Sequence, residues 1–137
     1  MEKIATSAAK SWLRKMTLID LELESRAIQH VKMCNLRVSL MYASAKIRDM
    51  VNEIILDFDN EIENLIKQRN EIADAIAKVK SHTMRVALEQ RYIYDKSISE
   101  IAEVIHYSTR QAKRLMEAAI DNVINNLNDE TENNDEN

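Results

Sequence analysis

Residues 97–127, SISEIAEVIHYSTRQAKRLMEAAIDNVINNL, decide the fold of this chain. Ser97 is followed three positions later by Glu100, and Ser108 is followed three positions later by Gln111. Both pairs have the spacing of a capping box, in which the serine hydroxyl and its partner side chain satisfy free backbone N–H groups at a helix start. The stretch therefore predicts two helices joined by a very short turn.

The apolar residues of this stretch indicate how the two helices pack. In the first helix, the residues expected to point inward are Ile98, Ile101, Ala102 and Ile105, and Tyr107 is expected to fill the turn. In the second, the expected buried residues are Ala112, Leu115, Ala119 (or Ala118) and Val123. Two short helices with a basic second helix predict a helix-turn-helix, whose second helix, 109–127, would read DNA in the major groove.

The outward residues near the start of that second helix form a compact basic tip, which we define as Ser108, Thr109, Arg110, Gln111, Lys113 and Arg114. Arginine and glutamine read guanine and adenine edges with two hydrogen bonds. We expect Arg110 with Lys113 or Arg114 at the bases, and Ser108 and Thr109 on phosphate. The alternative is an ordinary solvated helix face. Further phosphate contacts are expected from Lys10, Arg14, Lys15, Arg91 and Lys96.

Composition points to an all-α protein. The 137 residues include no glycine and no proline, so tight hairpins and strained loops are hard to build, whereas 45% hydrophobic content can form a core. The net charge of −4 is concentrated at the end of the chain, because residues 129–137 hold five acidic and no basic residues. We predict that this tail is disordered.

The N-terminal half predicts long helices. Residues 1–16 suggest a short amphipathic helix that either packs Trp12 on the body or serves as a basic arm on DNA phosphates. A long helix is predicted from Thr17 to about Leu40, with Ile19, Leu23, Ile28, Val31 and Met33 or Cys34 on one face, extended by Leu36, Val38 and Leu40. Ser44 is a plausible N-cap, so a break is expected before it.

A second long helix shows a heptad-like seam. Its apolar positions are Ile47, Val51, Ile54, Phe58, Ile62, Leu65, Ile72, Ile76 and Val79, with Arg69 in a seam position. The one extra four-residue step, from Phe58 to Ile62, is a stutter. A seam this long needs a partner: the first helix folded back as a hairpin, a second copy of the chain, or both. We expect a homodimer through residues 17–80.

The predicted organisation has three parts. Residues 1–80 carry the N-terminal helix and the long hairpin or coiled-coil helices. Residues 81–128 form the DNA-binding domain, which begins with a helix over about His82–Tyr94 capped by Ser81 and continues through a turn at Asp95-Lys96. Residues 129–137 form the acidic tail.

Other chemistries are not indicated. We find no nucleophile–base pair, phosphate loop or metal-ligand spacing, so no catalytic residue, metal or cofactor is expected. The acidic alternation from Asp57 to Glu63 lacks the glycine of a calcium loop and is typical of a solvated helix face. The single cysteine, Cys34, and the absence of a signal peptide or spanning segment predict a soluble, cytoplasmic protein without membrane binding.

The segment from Arg85 to Ile120 resembles region four of bacterial sigma factors, and more closely the phage-encoded, sigma-like late transcription regulators of the ArpU/RinA kind. The residues that carry the resemblance are Leu88, Arg91-Tyr92, Lys96-Ser97, Glu100-Ile101-Ala102, Tyr107-Ser108, Arg110 and Arg114. In those proteins a coiled-coil-like segment also precedes the sigma-like module. Such modules commonly carry glycine in both turns, where this chain has Asp95 and His106, two residue types that tolerate positive φ.

The resemblance implies a transcription regulator, in particular an activator of phage or prophage late genes, that binds double-stranded DNA and contacts host RNA polymerase. Two alternatives remain open. A small terminase subunit that binds packaging-site DNA also joins a helix-turn-helix to an oligomerising segment, although usually in the reverse order. A module that binds RNA polymerase or a sigma factor would use the basic tip on protein, with DNA secondary.

Overall fold

The structure is a computed structural model that describes residues 6–135, and every regular element in this range is helical. The helices are α1 (Thr6–Ser39), α2 (Ala45–Ala77), α3 (His82–Leu88), α4 (Ile98–Ile105) and α5 (Thr109–Asp135), with a π-helical turn (Glu89–Ile93) directly after α3. The all-α fold with a long helical hairpin is confirmed. The length of the helices follows from the absence of glycine and proline, the two residues least favourable in helix interiors.

Helix α1 differs from the prediction at its N-terminal end. The sequence suggested a short helix over 1–16 and a separate helix from Thr17, but one helix runs through both. No glycine or proline interrupts the backbone near Thr17, so nothing ends the helix there. Residues 1–5 lie outside the described range.

The predicted break between the two long helices is confirmed. The chain turns over residues 40–44, and the Ser44 hydroxyl accepts a hydrogen bond from the Ile47 backbone N–H at 3.4 Å. Helix α2 then continues for 33 residues. Ser44 therefore caps the second arm of a helical hairpin, as its position in the sequence suggested.

The chain divides into two compact units. Unit 1 combines the start of the chain up to Thr17 with everything from Glu71 onward, and unit 2 is Leu18–Asn70. This division differs from the predicted boundary between residues 80 and 81. The reason is that the beginning of α1 and the end of α2 contribute apolar side chains to the same compact unit as α3, α4 and α5.

Unit 1 contains the main apolar core. Its largest fully buried side chains are Leu13, Met16, Ile72, Ile76, Val79, Leu88, Ile101, Ile120 and Val123. Helices α3, α4 and α5 contact one another within this unit. Burial of one such side chain stabilises a fold by roughly 1.5–3 kcal/mol, so this cluster accounts for much of the driving force that holds unit 1 together.

Unit 2 is an antiparallel pair of helical segments linked by charges. Asp20 of α1 pairs with Arg69 of α2 at 2.7 Å, and Arg26 pairs with Glu61 at 2.6 Å. His30 Nε2 lies 2.8 Å from Asp59. Residues with higher numbers on α1 pair with residues of lower number on α2, so the two helices are antiparallel and the ion pairs mark their register. Arg69 thus has an acidic partner at its seam position.

Part of the predicted apolar faces in unit 2 is wrong. Ile28, Val31, Leu36 and Val38 of α1 are exposed, as are Ile47 and Ile54 of α2, whereas Ile55 is buried. Val51 and Leu65 of the predicted α2 seam are buried as expected, and between them Ile55 takes the buried position that the sequence analysis gave to Ile54. The buried residues of unit 2 are Ile19 of α1 and Val51, Ile55 and Leu65 of α2, whereas the side chains of the three ion pairs are 29–55% exposed.

Helix α5 extends to Asp135 and so includes residues of the segment for which the sequence analysis predicted disorder. No helix-breaking residue precedes Asp135, and Glu130 pairs with Lys78 near the end of α2. The hydrogen bond and charge of Glu130 raise the pKa of Lys78 above its ordinary 10.5. Residues 136–137 of the predicted tail lie outside the described range.

Candidate nucleic-acid interface

The start of α4 is a complete capping box, as predicted. The Ser97 hydroxyl accepts a hydrogen bond from the Glu100 backbone N–H at 3.2 Å, and the Ser97 N–H donates to the Glu100 carboxylate at 3.3 Å. The backbone hydrogen bond from Ser97 is the largest of the effects that lower the pKa of Glu100 below its ordinary 4.5. These reciprocal bonds fix the point at which α4 begins.

The two turns that flank α4 use residues other than glycine at positive φ. Asp95, before α4, has φ of 54°, and His106, after it, has φ of 58° and ψ of 42°. Tyr107 N–H then donates to the Ala102 carbonyl at 2.9 Å. The prediction that Asp95 and His106 occupy left-handed turn positions is confirmed. The prediction that Tyr107 fills the turn is wrong, since its side chain is 40% exposed.

The start of α5 carries the second predicted capping box. The Ser108 hydroxyl accepts from the Gln111 N–H at 3.1 Å, and the Ser108 N–H donates to the Gln111 side-chain oxygen at 2.9 Å. Gln111 therefore has its amide oxygen occupied by the cap. A two-bond contact between Gln111 and adenine would use the second lone pair of the same oxygen, in a direction that the capping box restricts.

The packing between α4 and α5 leaves the basic tip free. Ile101 and Ala102 of α4 are buried, and the buried residues of α5 are Ala112, Met116, Ala119, Ile120, Val123 and Ile124. Met116 and Ile120 were not predicted, whereas Leu115 is only half-buried. All six residues of the basic tip are exposed. None of its three cations takes part in an ion pair within the part of the chain that the structure describes.

The segment before α4 contains Arg91 and Lys96, two of the residues that were expected to contact DNA phosphates. The predicted helix over 82–94 is α3 followed by the π-helical turn, which no pattern in the sequence indicated. Arg91 lies in this turn and its guanidinium donates to the Lys96 carbonyl at 2.9 Å. The Lys96 ammonium lies 3.7 Å from the Glu100 carboxylate, so its charge is partly neutralised.

A cleft in unit 1 brings Arg91 together with residues far away in the sequence. Its lining residues are Lys10, Arg14, Arg91, Tyr92, Ile98, Lys113, Met116, Glu117 and Ile120. Lys10 and Arg14, which were expected only as part of a basic arm, thus lie beside Lys113 of the basic tip. Lys15 is exposed on α1 and does not line this cleft. No sequence pattern could have indicated the juxtaposition, because it depends on tertiary packing.

The remaining polar clusters have structural partners. Asp59 and Glu61, from the acidic stretch of α2, pair with His30 and Arg26. Within the described residues no group of three or more histidine, cysteine, aspartate or glutamate side chains could hold a metal ion. Among the same residues, no helix has the length and apolar character needed to cross a bilayer.

Comparisons of the chain with family models, with curated proteins and with solved structures gave no match.

Proposed function

We propose that this protein is a sequence-specific, DNA-binding transcription regulator that reads the major groove with the first turns of α5. The observation that carries the proposal is the basic tip, whose cations are exposed and form no ion pair in the described chain, at the capped start of a helix that α4 braces from behind. A helix-turn-helix presents its recognition helix in this way, and arginine there reads guanine with two hydrogen bonds.

The resemblance to region four of sigma factors supports a more specific role. Under this proposal the protein activates phage or prophage late genes in the cytoplasm of the bacterial host, with host RNA polymerase as a second partner. Both capping boxes are formed, and Asp95 and His106 adopt positive φ at the two turns where such modules commonly carry glycine.

We further propose that the protein acts as a homodimer through residues 17–80. Of the sixteen large hydrophobic side chains exposed among the described residues, thirteen lie in unit 2. Ile28, Val31 and Val38 form a row on α1, which we call the α1 row, and Ile47, Met50 and Ile54 form a row on α2, the α2 row. A second copy would cover these rows and place two recognition helices on spaced half-sites.

The DNA proposal is tested by selecting bound fragments from the host genome with the purified full-length protein. On a selected duplex, Arg110→Ala/Arg114→Ala should weaken binding by about 1–3 kcal/mol for each two-bond base contact that the substitutions remove, while affinity for random duplex changes less. Lys46→Ala/Arg48→Ala, which removes two exposed cations at the start of α2, is the matched control. Equal affinity of the Arg110/Arg114 variant and the wild type, measured by fluorescence anisotropy, would refute the assignment of the reading helix.

The dimer proposal is tested by sedimentation velocity. Val31→Glu/Val38→Glu and Ile47→Glu/Met50→Glu each place charges on one row, and the row that forms the interface is the one whose variant becomes a monomer. Leu56→Glu is the control, because Leu56 is also exposed but lies two positions, about 200° around α2, from Ile54. A wild-type monomer would refute the proposal, and a ring of many subunits would favour the small-terminase alternative.

The salt dependence of duplex binding distinguishes the DNA-binding proposal from the polymerase-binding alternative. Phosphate contacts make log K fall steeply and linearly with log salt concentration. A basic tip that serves mainly a protein partner would give weak duplex binding without preference between selected and random DNA.

A further inference from the structure

The cleft of unit 1 draws its cations from three separate elements. Lys10 and Arg14 lie one helical turn apart on α1, Arg91 comes from the π-helical turn, and Lys113 comes from the second turn of α5. Its volume is about 190 Å³, enough for a small oxyanion with part of its hydration shell. Four positive side chains therefore converge on one small space.

Among the described residues, the lining of the cleft has a surplus of positive charge, since four of its residues are basic and one, Glu117, is acidic. Asp95 lines an adjoining cleft together with Arg14, Thr17, Arg91 and Tyr92. Within the described chain no ion pair involves Lys10, Arg14, Arg91 or Lys113. Because these four cations outnumber the acidic residues Glu117 and Asp95, they repel one another on balance, and an anion bound among them would be stabilised.

Part of the cleft lining consists of buried, largely apolar side chains. Tyr92, Met116 and Ile120 are all buried, and Arg91 is held in place by its hydrogen bond to the Lys96 carbonyl. Burial raises the pKa of the Tyr92 hydroxyl above its ordinary 10.0, while the charges of Arg14 and Arg91 act in the opposite direction. Both guanidinium groups thus lie near the same phenol, and the neutral hydroxyl remains a hydrogen-bond donor.

We propose that this cleft binds a phosphate group, with Arg14 and Arg91 as the principal ligands and Lys10 and Lys113 as flanking charges. A planar guanidinium presents a fork of donors that matches phosphate oxygens, which lysine supplies only as a point charge. The proposal rests on the proposed function for the source of the group, which is a backbone phosphate of the duplex that α5 reads. Lys113 joins the two sites, because it belongs to both the basic tip and the cleft.

The cleft gives α1 a role in DNA binding that differs from that of the basic tip. Phosphate contacts fix the position and orientation of a protein on DNA without carrying sequence information, whereas base contacts carry the specificity. Substitutions in the two sites should therefore change different observables. Loss of the phosphate site should weaken selected and random duplexes by the same factor, and loss of Arg110 and Arg114 should lower their ratio.

The test compares Lys10→Gln/Arg14→Gln with Lys80→Gln in the full chain, using anisotropy titrations of a selected and a random duplex over a range of salt concentrations. Lys80 is the control because it is an exposed cation of unit 1 that does not line the cleft. The double variant should lose about ten-fold in affinity at low salt for both duplexes, and the slope of log K against log salt should become shallower by about 2. Lys80→Gln should leave both values near those of the wild type, and thermal melts should show that both variants are folded.

A second arm uses inorganic phosphate alone. Side-chain Nε–H resonances of Arg14 and Arg91 in the wild-type protein are followed by NMR as phosphate is added at constant ionic strength. Saturable shifts of these two resonances, without shifts at Arg37 of unit 2, are expected.

The two arms separate the possible outcomes. A shallower slope in the Lys10/Arg14 variant supports the cleft with DNA as the source of the phosphate. An unchanged slope with saturable phosphate shifts supports the cleft with free phosphate as its ligand. An unchanged slope without shifts overturns the cleft and leaves the DNA proposal standing. If the wild type binds no duplex, the proposed function fails, and the phosphate titration alone supports or overturns the cleft.

Discussion

The two compact units of this chain use opposite arrangements of apolar and charged residues. Of the twenty-two buried apolar residues in the described part of the chain, eighteen lie in unit 1, and so do all nine of the largest fully buried side chains. In unit 2, which spans residues 18–70, three ion pairs link α1 to α2 while thirteen large apolar side chains are exposed. Helices α1 and α2 each contribute residues to both units. Each of them therefore buries apolar side chains in its unit 1 segment and exposes many of them in its unit 2 segment.

This difference indicates where the stability of the chain resides. Burial of apolar surface is the dominant favourable term in folding, whereas exposed or half-exposed ion pairs contribute little. Unit 1 therefore has its own driving force. Unit 2 has a defined register but a large apolar surface without a partner in the described chain, and this surface is the observation behind the dimer proposal.

The largest expected effect comes from the core of unit 1. Leu13→Ala removes a fully buried side chain and should lower the free energy of unfolding by about 2–5 kcal/mol in urea titrations. Val31→Ala in unit 2, where the side chain is 56% exposed, should change it by no more than about 0.5 kcal/mol at protein concentrations that keep the chain monomeric. Similar decreases in the two variants would contradict the contrast between the units.

Helix caps provide a second comparison. Ser108→Ala removes a hydroxyl 3.1 Å from the Gln111 N–H and breaks a reciprocal capping box, so it should destabilise the protein by about 1 kcal/mol. Ser44→Ala removes a single, longer bond of 3.4 Å and should cost less. Ser99→Ala, at an exposed position inside α4, is the control and should be neutral or slightly stabilising. A larger destabilisation by Ser44→Ala would show that unit 2 depends on its turn more than its geometry indicates.

The charged register of unit 2 should contribute little energy. A double-mutant cycle with Asp20→Asn and Arg69→Gln should give a coupling energy below about 1 kcal/mol, because both side chains are roughly one-third exposed. The measurement is the free energy of unfolding of the wild type, the two single variants and the double variant. Coupling of several kcal/mol would mean that ion pairs, rather than apolar burial, hold this hairpin together.

The smallest effect is expected from acid titration of the first capping box. The lowered pKa of Glu100 means that its carboxylate stabilises the folded state above the ordinary pKa of 4.5, and that this contribution is lost as the pH falls through the lowered value. Glu100→Gln should therefore flatten part of the acid limb of the stability curve, measured as the urea midpoint against pH. A curve parallel to that of the wild type would contradict a role for the ionised form.

The elements of α4 and α5 were largely predictable because their causes are local. Ser97 with Glu100 and Ser108 with Gln111 form bonds within three residues, and Asp95 and His106 tolerate the positive φ that their turns need. The continuity of α1 was not predicted, because a plausible boundary near Thr17 has no obligatory breaker. The helical state of residues 129–135 was also missed, since Glu130 pairs with Lys78, a partner that only the folded chain supplies.

The candidate site also combines features that the sequence predicts with features that only the folded chain shows. Residue types and spacings shorter than one or two helical turns are enough to establish the helical class, the two capped helix starts and the basic tip. Long-range packing, in contrast, establishes which faces of α1 and α2 are covered and that Lys10 and Arg14 stand beside Arg91 and Lys113. A periodic pattern shows that a helix has an apolar side, but the partner of that side is set by packing between residues that are far apart in the chain.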